Sequence, residues 1–273
     1  MTLGKGIGFL LLVLGWGVLM AAEGLEAEGT KKVEPGTIRL QVVFNNVPYQ
    51  KGLETSWGFA CLVERPDTTL LFDTGDNGDI LLSNLQQLGR DPGAVRAIVL
   101  SHFHWDHTGG LEAFLERNPD VTVYMPASFP EEFQRAVASF GATVVTVSGP
   151  QQLMDRTYST GEMGAAIREQ SLVLDTPEGL VVITGCAHPG VADIAERAKT
   201  EFKKGLYLVM GGFHLGGWGE DEIQGLIQRL QDLGVRKVAP SHCTGDRAIR
   251  MFREAWGEDF VEGGLGARIT LAW

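Results

Sequence analysis

Ser101-His102-Phe103-His104-Trp105-Asp106-His107-Thr108-Gly109-Gly110 holds three of the six histidines of this 273-residue chain. The other three also stand in short glycine-flanked motifs: His188 in Gly185-Cys186-Ala187-His188-Pro189-Gly190, His214 in Gly211-Gly212-Phe213-His214-Leu215, and His242 in Ser241-His242-Cys243-Thr244-Gly245. No histidine is left over for the surface or the core. Neutral imidazole is the commonest metal ligand in proteins. Four ligand-type side chains within six residues, His102 to His107, exceed what ordinary packing can satisfy. In an extended loop, His102 and His104 project to the same side and can share one ion, while Asp106 and His107 diverge towards a second position. Gly109 and Gly110 are expected to let the chain turn tightly into a helix.

Outward from this cluster, strand-like and helix-like segments alternate to the end of the chain. Strands are expected at Ile38–Phe44, Phe59–Glu64, Thr69–Phe72, Ala97–Leu100, Val121–Met125, Ala142–Val147, Leu206–Met210, Val235–Ala239 and Ile269–Trp273. Ser171–Asp175 and Leu180–Thr184 flank Pro177-Glu178-Gly179 and read as a hairpin. Helices are expected at Ile80–Leu88, Gly110–Arg117, Phe129–Phe140, Gly190–Phe202, Glu220–Leu233 and Asp246–Trp256. The apolar stripe Ile223, Leu226, Ile227, Leu230 and Leu233 marks the clearest of them.

Each motif begins where an apolar strand stops. Asp73 follows Leu-Leu-Phe, His102 follows Ile-Val-Leu-Ser, Cys186 follows Val-Val-Ile-Thr-Gly, His214 follows Leu-Val-Met-Gly-Gly-Phe and His242 follows Val-Ala-Pro-Ser. In layered α/β folds, ligands gather at the carboxyl ends of strands. Five loops therefore converge on one site. Asp73, in Asp73-Thr74-Gly75, reads either as a turn residue or as an orienting group behind the histidine loop. Trp57, Phe59, Trp105 and Phe213 are candidates for an aromatic wall, and Arg247 for an anion anchor.

Composition narrows the function. A net charge of −11 argues against nucleic acid or an anionic membrane surface as the main partner, since either calls for a basic face. A small molecule is the expected partner. Three cysteines, Cys61, Cys186 and Cys243, are too few for a disulfide framework. Cys186 has two readings, a metal-binding thiolate or a disulfide partner of Cys243. At the N-terminus, Lys5 precedes the apolar run Ile7 to Ala22, which reads as a secretory signal peptide, with an uncleaved membrane anchor as the alternative. The expected organisation is a leader over 1–22, a linker over 23–36 and one domain over 37–273, in a protein exported to the periplasm or the extracellular space.

The His102-x-His104-x-Asp106-His107 cluster preceded by Asp73-Thr74-Gly75 resembles the metallo-β-lactamase superfamily. The Gly-Cys-Ala-His-Pro-Gly, Gly-Gly-Phe-His and Ser-His-Cys-Thr-Gly motifs resemble its 7,8-dihydropterin-6-methyl-4-(β-D-ribofuranosyl)aminobenzene-5′-phosphate synthase-like branch. The resemblance runs from about Ile38 to the C-terminus. It implies an α+β fold in four layers, αβ/βα, and a site for one or two divalent ions, zinc first, with iron or manganese as alternatives. It places His102 and His104 on the first metal, and Asp106, His107 and His242 on the second. Asp106 also helps position the nucleophile, which gives it a catalytic role. The chain departs from the superfamily at Cys186, which stands where a bridging aspartate is usual. No histidine lies between Gly110 and Cys186, so His188 is the candidate for the missing ligand, and His214 is assigned to metal or substrate. The branch name implies pterin transfer on a cytosolic substrate that an exported chain would not meet. The expected activity is therefore hydrolysis of an ester, lactone, amide or phosphoester by metal-activated water. The alternatives are the synthase activity and a non-hydrolytic metal-binding or redox protein.

Overall fold

The computed structural model describes Met1, Glu34 and residues 36–273. The expected leader, and the linker apart from Glu34 and Gly36, lie outside the described residues. Among those described, no helix is long and apolar enough to cross a membrane.

The chain runs β1 (Thr37–Asn45), β2 (Phe59–Glu64), β3 (Thr69–Phe72), α1 (Gly78–Gln87), β4 (Val95–Val99), α2 (Trp105–Thr108), α3 (Leu111–Arg117), β5 (Thr122–Pro126), α4 (Glu131–Ser139) and β6 (Thr143–Val147). It continues through β7 (Gln151–Met154), β8 (Thr157–Ser159), β9 (Leu172–Thr176), β10 (Gly179–Thr184), α5 (Val191–Phe202), β11 (Leu206–Gly212), α6 (Glu220–Asp232), β12 (Lys237–Ser241), α7 (Asp246–Trp256) and β13 (Arg268–Ala272).

Two sheets result, one of seven strands in the order β13-β1-β2-β3-β4-β5-β6 and one of six in the order β12-β11-β10-β9-β8-β7. Side chains alternate across a strand, and the strands of the first sheet are apolar on both faces. Phe59, Cys61 and Val63 of β2, Leu70 and Phe72 of β3, and Ala97 and Val99 of β4 point into one layer. There they meet Leu172, Leu174, Val181, Ile183, Leu208 and Met210 of the second sheet. The intervening residues Ala60, Leu62, Leu71 and Ile98 face outward onto Leu81 and Leu85 of α1 and Leu111, Phe114 and Leu115 of α3. On the far side, α5, α6 and α7 cover the second sheet with Val191, Ile194, Ile223, Ile227, Leu230 and Phe252. Helices, sheet, sheet, helices: the four layers follow from strands buried on both faces.

Direction fixes where the loops go. Strands β3, β4, β5 and β6 are mutually parallel, as are β10, β11 and β12, so their carboxyl ends share an edge within each sheet. The hairpin read around Pro177-Glu178-Gly179 is the antiparallel pair β9–β10. Strands β7 and β8 were not expected from the sequence. Gln151-Gln152 is exposed and the pair lies at the sheet margin, so it lacks the apolar run by which a buried strand is recognised. The glycines after the histidine cluster serve close packing and not a left-handed turn. Gly109 has φ −66° and Gly110 φ −83°, and a Cβ on Gly110 would collide with the Thr74 carbonyl.

Phe72 is fully buried between the sheets, with its ring edge-on to Phe59 at 6.4 Å. Phe72→Ala should destabilise the fold by about 3–5 kcal/mol, measured by urea unfolding, since it leaves a void that neither sheet can close.

Candidate metal centre

Asp73 follows β3, Ser101 to His107 follow β4, Cys186 and His188 follow β10, His214 follows β11 and His242 follows β12. The convergence expected from the strand-end pattern is what the fold produces. Among the described residues, four of the six non-glycine residues with positive φ lie here: Asp73 (57°), Ala187 (57°), His214 (52°) and His242 (52°). Such conformations cost of order 1–3 kcal/mol each and persist only where the surroundings impose them.

On the first sheet's side, the Asp73 carboxylate organises the histidines. Its Oδ1 accepts from the Ser101 amide at 2.7 Å, and its Oδ2 accepts from Ser101 Oγ at 2.7 Å. The same Oδ2 lies 2.7 Å from His107 Nδ1. The Ser101 hydroxyl has one proton and gives it to Asp73, so towards His102 Nδ1, at 2.9 Å, it can only accept. His102 is therefore protonated on Nδ1 and turns an Nε2 lone pair towards the cluster, while His107 gives its Nδ1 proton to Asp73 and so points its Nε2 at the same place. A Cβ on Gly185 would strike Ser101 Oγ, which accounts for glycine beside Cys186. Asp73 is an orienting residue; its carboxylate bonds Ser101 and His107, 28 and 34 positions away, and not the backbone of a local turn.

On the second sheet's side, Glu169 does the equivalent work, and sequence reasoning missed it. Its Oε1 accepts from the backbone amides of Gly185 (3.2 Å), Cys186 (3.0 Å) and Ala187 (2.8 Å), and its Oε2 from that of His188 (2.8 Å). Glu169 lies in the mixed stretch Glu162–Gln170 beside no motif, so no sequence signal marks it. Asn46, also missed, receives His242 Nδ1 on its Oδ1 at 2.7 Å, which leaves His242 Nε2 free for the cluster. It stands at the end of β1, and the strand-end rule extended to that strand would have found it.

The donor atoms fall into sets. Asp106, His107, Cys186 and His242 present atoms all within 4.8 Å of one another, and so do His102, Cys186 and His188. His104 joins the second set through its Nδ1, 3.0 Å from His102 Nε2. Cys186 Sγ belongs to both, at 3.3 Å from His107 Nε2 and 3.4 Å from His242 Nε2. His214, Cys186 and Cys243 form a third set. All seven residues expected as ligands thus come together. Cys186 and Cys243 are free thiols, and Cys61 lies apart in the layer between the sheets.

The donor set fits a divalent cation. His188 Nε2 is buried without a hydrogen-bond partner, beside the His102 ring at 4.8 Å and the His104 ring at 5.0 Å. Such an orphaned atom calls for a ligand. Burial, then the neighbouring imidazoles, hold His102 well below the usual histidine range and His188 near 4, so both stand as neutral donors. Burial opposes charge on Asp106, but hydrogen bonding to His242 and the charge of His107 bring its pKa to about 2. Burial likewise opposes a charged His107, and the Asp73 carboxylate outweighs it. The neighbouring Cys243 thiol and burial raise the Cys186 pKa, so this thiol ionises when a cation takes its charge.

Two expectations about the surroundings are corrected. Phe213 is 2% exposed and packs on Phe252 at 5.4 Å, and Phe59 is sealed between the sheets, so both are core residues and no part of a site wall. Apolar burial claims them. Arg247 donates to the Trp218 carbonyl, at 3.4 Å on the exposed surface, and among the described residues it makes no hydrogen bond to the cluster. Trp57 does border the site, with its ring 5.2 Å from that of His242, and Trp105 stands exposed on the histidine loop.

Burial raises Glu169 to about 7, although the His188 and Ala187 amides favour its charged form. In Glu169→Gln, an amide NH2 must face at least one backbone N–H, which leaves a buried donor unpaired at a cost of about 1–3 kcal/mol. The expected outcome is a lower Tm together with loss of metal at the His188 set, read by thermal melts and by metal content after dialysis.

Comparison with known proteins agrees with this geometry. Residues 58–242 match the profile of the metallo-β-lactamase superfamily. The chain is 28% identical over 236 residues to the 7,8-dihydropterin-6-methyl-4-(β-D-ribofuranosyl)-aminobenzene-5′-phosphate synthase of Methanocaldococcus jannaschii, covering 70% of this chain and 80% of that protein. It superposes with a TM-score of 0.75 on the crystal structure of Tm1679, a metal-dependent hydrolase of the β-lactamase superfamily, at 27% identity over 86% of this chain and all of that one. The metallo-β-lactamase fold protein YhfI from Bacillus subtilis gives a TM-score of 0.65 at 13% identity, over 86% of this chain and 99% of its own. With the profile covering most of its length and the same fold in its relatives, the chain belongs to the metallo-β-lactamase superfamily.

Proposed function

We propose that the protein is a metal-dependent hydrolase that cleaves an ester, lactone, amide or phosphoester bond of a small molecule with water. The observation that carries this reading is the sharing of Cys186 Sγ between two donor sets, which suits two cations side by side. His102, His104, His188 and Cys186 would hold one ion, and Asp106, His107, Cys186 and His242 the other. When bound, such ions, zinc foremost and iron or manganese as alternatives, would lower the pKa of a water molecule and polarise the scissile carbonyl or phosphoryl group.

The chain's own residues supply the rest. Asp73 and Asn46 fix the tautomers of His107 and His242. Asp106 Oδ2 faces His107 and His242 at 3.6 and 3.4 Å, which leaves Oδ1 to take a hydrogen bond from a water at the same rim. Asp106 is thus the catalytic positioning group for that water. The net charge of −11 disfavours nucleic acid as a partner, and the cations would supply positive charge locally for an anionic substrate.

A second reading is transfer of a pterin group, as in the archaeal synthase named above; the similarity over 80% of that enzyme's length favours it. The leader read over residues 1–22 favours hydrolysis instead, because an exported or membrane-anchored enzyme does not meet a cytosolic pterin diphosphate. N-terminal sequencing of the native protein checks this, with a mature start near Glu23 or Leu25 expected.

Purified protein should carry between one and two equivalents of transition metal, and His102→Ala with His107→Ala should abolish that content. On a panel of chromogenic esters, lactones and phosphoesters, Asp106→Asn should lower turnover by about 10²–10⁴-fold. An inert panel together with pterin transfer would establish the synthase reading. The Cys186 thiol should resist alkylation while metal is bound and react after chelation, because a coordinated thiolate is shielded. Protection indifferent to chelator would remove Cys186 from the ligand set.

A further inference from the structure

The exposed aromatic residues of this protein are not scattered. Six large hydrophobic residues are exposed among the described residues: Met1, Tyr49, Trp57, Phe103, Trp105 and Trp218. Four of them border the metal centre. Trp57 lies against the His242 ring, Phe103 and Trp105 alternate with the cluster's own ligands, and Trp218 shares a recess with His188 and His214. Phe103 is 47% exposed although it makes edge contacts with Phe129 and Phe133 at 5.3 and 5.2 Å. Apolar surface left in water around a cleft marks a binding site.

Beside this rim, between α3 and α4, lies a cavity of about 420 Å³. Phe103, Leu111, Leu115, Phe133, Val137 and Phe140 form its walls, and its size is that of a small-molecule site. His104, a member of the cluster, also lines it, so the cavity and the metal centre share a wall. The only other side chains with polar atoms that reach it, apart from the indole of Trp105, are Thr108 and Glu112. No cationic side chain lines it, so it offers nothing to a phosphate group. A pterin ring would lose hydrogen bonds on entering such walls. A hydrocarbon chain would lose none.

We infer that the substrate carries a hydrocarbon acyl chain, which enters the cavity between α3 and α4 past His104 and Trp105 while the bond to be cleaved lies at the metal cluster. The assignment rests on the hydrolytic reading for its choice of substrate, but the cavity binds the chain whether or not chemistry follows.

The test is calorimetric titration of the metal-loaded full-length protein with straight-chain carboxylates from butanoate to decanoate. Affinity should rise by about fourfold per methylene, the step expected for burial of a CH2 group, until the cavity is full. The heat-capacity change should grow more negative with chain length. Ala136 lines the cavity from an exposed position of α4, so Ala136→Trp should fill it without disturbing the core or the metal content. In that variant decanoate should bind no better than butanoate. Ala138→Trp, exposed on the same helix but outside the cavity, should keep the full gradient. Absence of a gradient in the unmodified protein, or a gradient that survives Ala136→Trp, would overturn the assignment. A gradient that emerges only after removal of residues 1–33 would also overturn it, since the chain's own N-terminal segment would then be the occupant. Turnover of the ester panel without any gradient removes the cavity and leaves the hydrolase. A gradient without turnover supports the cavity and removes the hydrolase.

Discussion

Apolar contact between the two sheets is the constraint from which the rest follows. Val63, Leu70, Phe72 and Val99 on one side, with Leu174, Val181, Ile183 and Leu208 on the other, are sealed from water. Burial on this scale is non-directional, yet here it sets direction. It holds the sheets face to face so that the loops after β3 and β4 meet those after β10, β11 and β12. No residue of the cluster needs to find its partners unaided. The chain brings them within a few ångströms because the strands before them have already packed.

Two buried carboxylates convert that approximate meeting into a set of donors. Asp73 takes the Ser101 amide, the Ser101 hydroxyl and His107, while Glu169 takes four successive backbone amides from Gly185 to His188. Each is fully buried or nearly so, and a buried charge persists only when it is thoroughly hydrogen-bonded. The requirement works in both directions. The amides satisfy the carboxylate, and the carboxylate fixes the loop. The left-handed conformations at Asp73, Ala187, His214 and His242 show that these loops are held against their local preference. One His188 nitrogen is left buried and unpaired, aimed where a cation completes it.

Cys186 separates this site from the usual superfamily arrangement. Cys186 stands where the family resemblance implies an aspartate, and its single Sγ faces both donor sets from the end of β10. The softer donor favours zinc or iron over magnesium or calcium. With Cys243 and His214 beside it, the cluster has more soft donors than a single ion can use.

Much of this was legible in the sequence. The histidine motifs, their placement after apolar strands, and the order of strands and helices from Thr37 onward, apart from β7, β8 and the short α2, follow from local chemistry, because ligand-type residues and backbone periodicity are local properties. The candidacy of His188 for the first set comes from the family resemblance, which implies a further histidine there that the chain does not have before Cys186. Other features were decided only when the chain folded. Glu169 is an ordinary glutamate in a stretch without a motif until tertiary packing buries it beneath the Gly185–His188 loop, whose Cys186 amide lies seventeen residues further along the chain. Asn46 meets His242 across 196 positions. Phe213 sits one residue from a histidine of the site yet turns its ring away into the core, because a strand end offers two faces and only packing chooses between them. The cavity beside His104 is a property of the space between two helices, and no stretch of sequence contains it. The sequence determined which atoms could bind a metal; the packing of the two sheets decided which of them share one, since distance between remote residues is set only by the core that separates them.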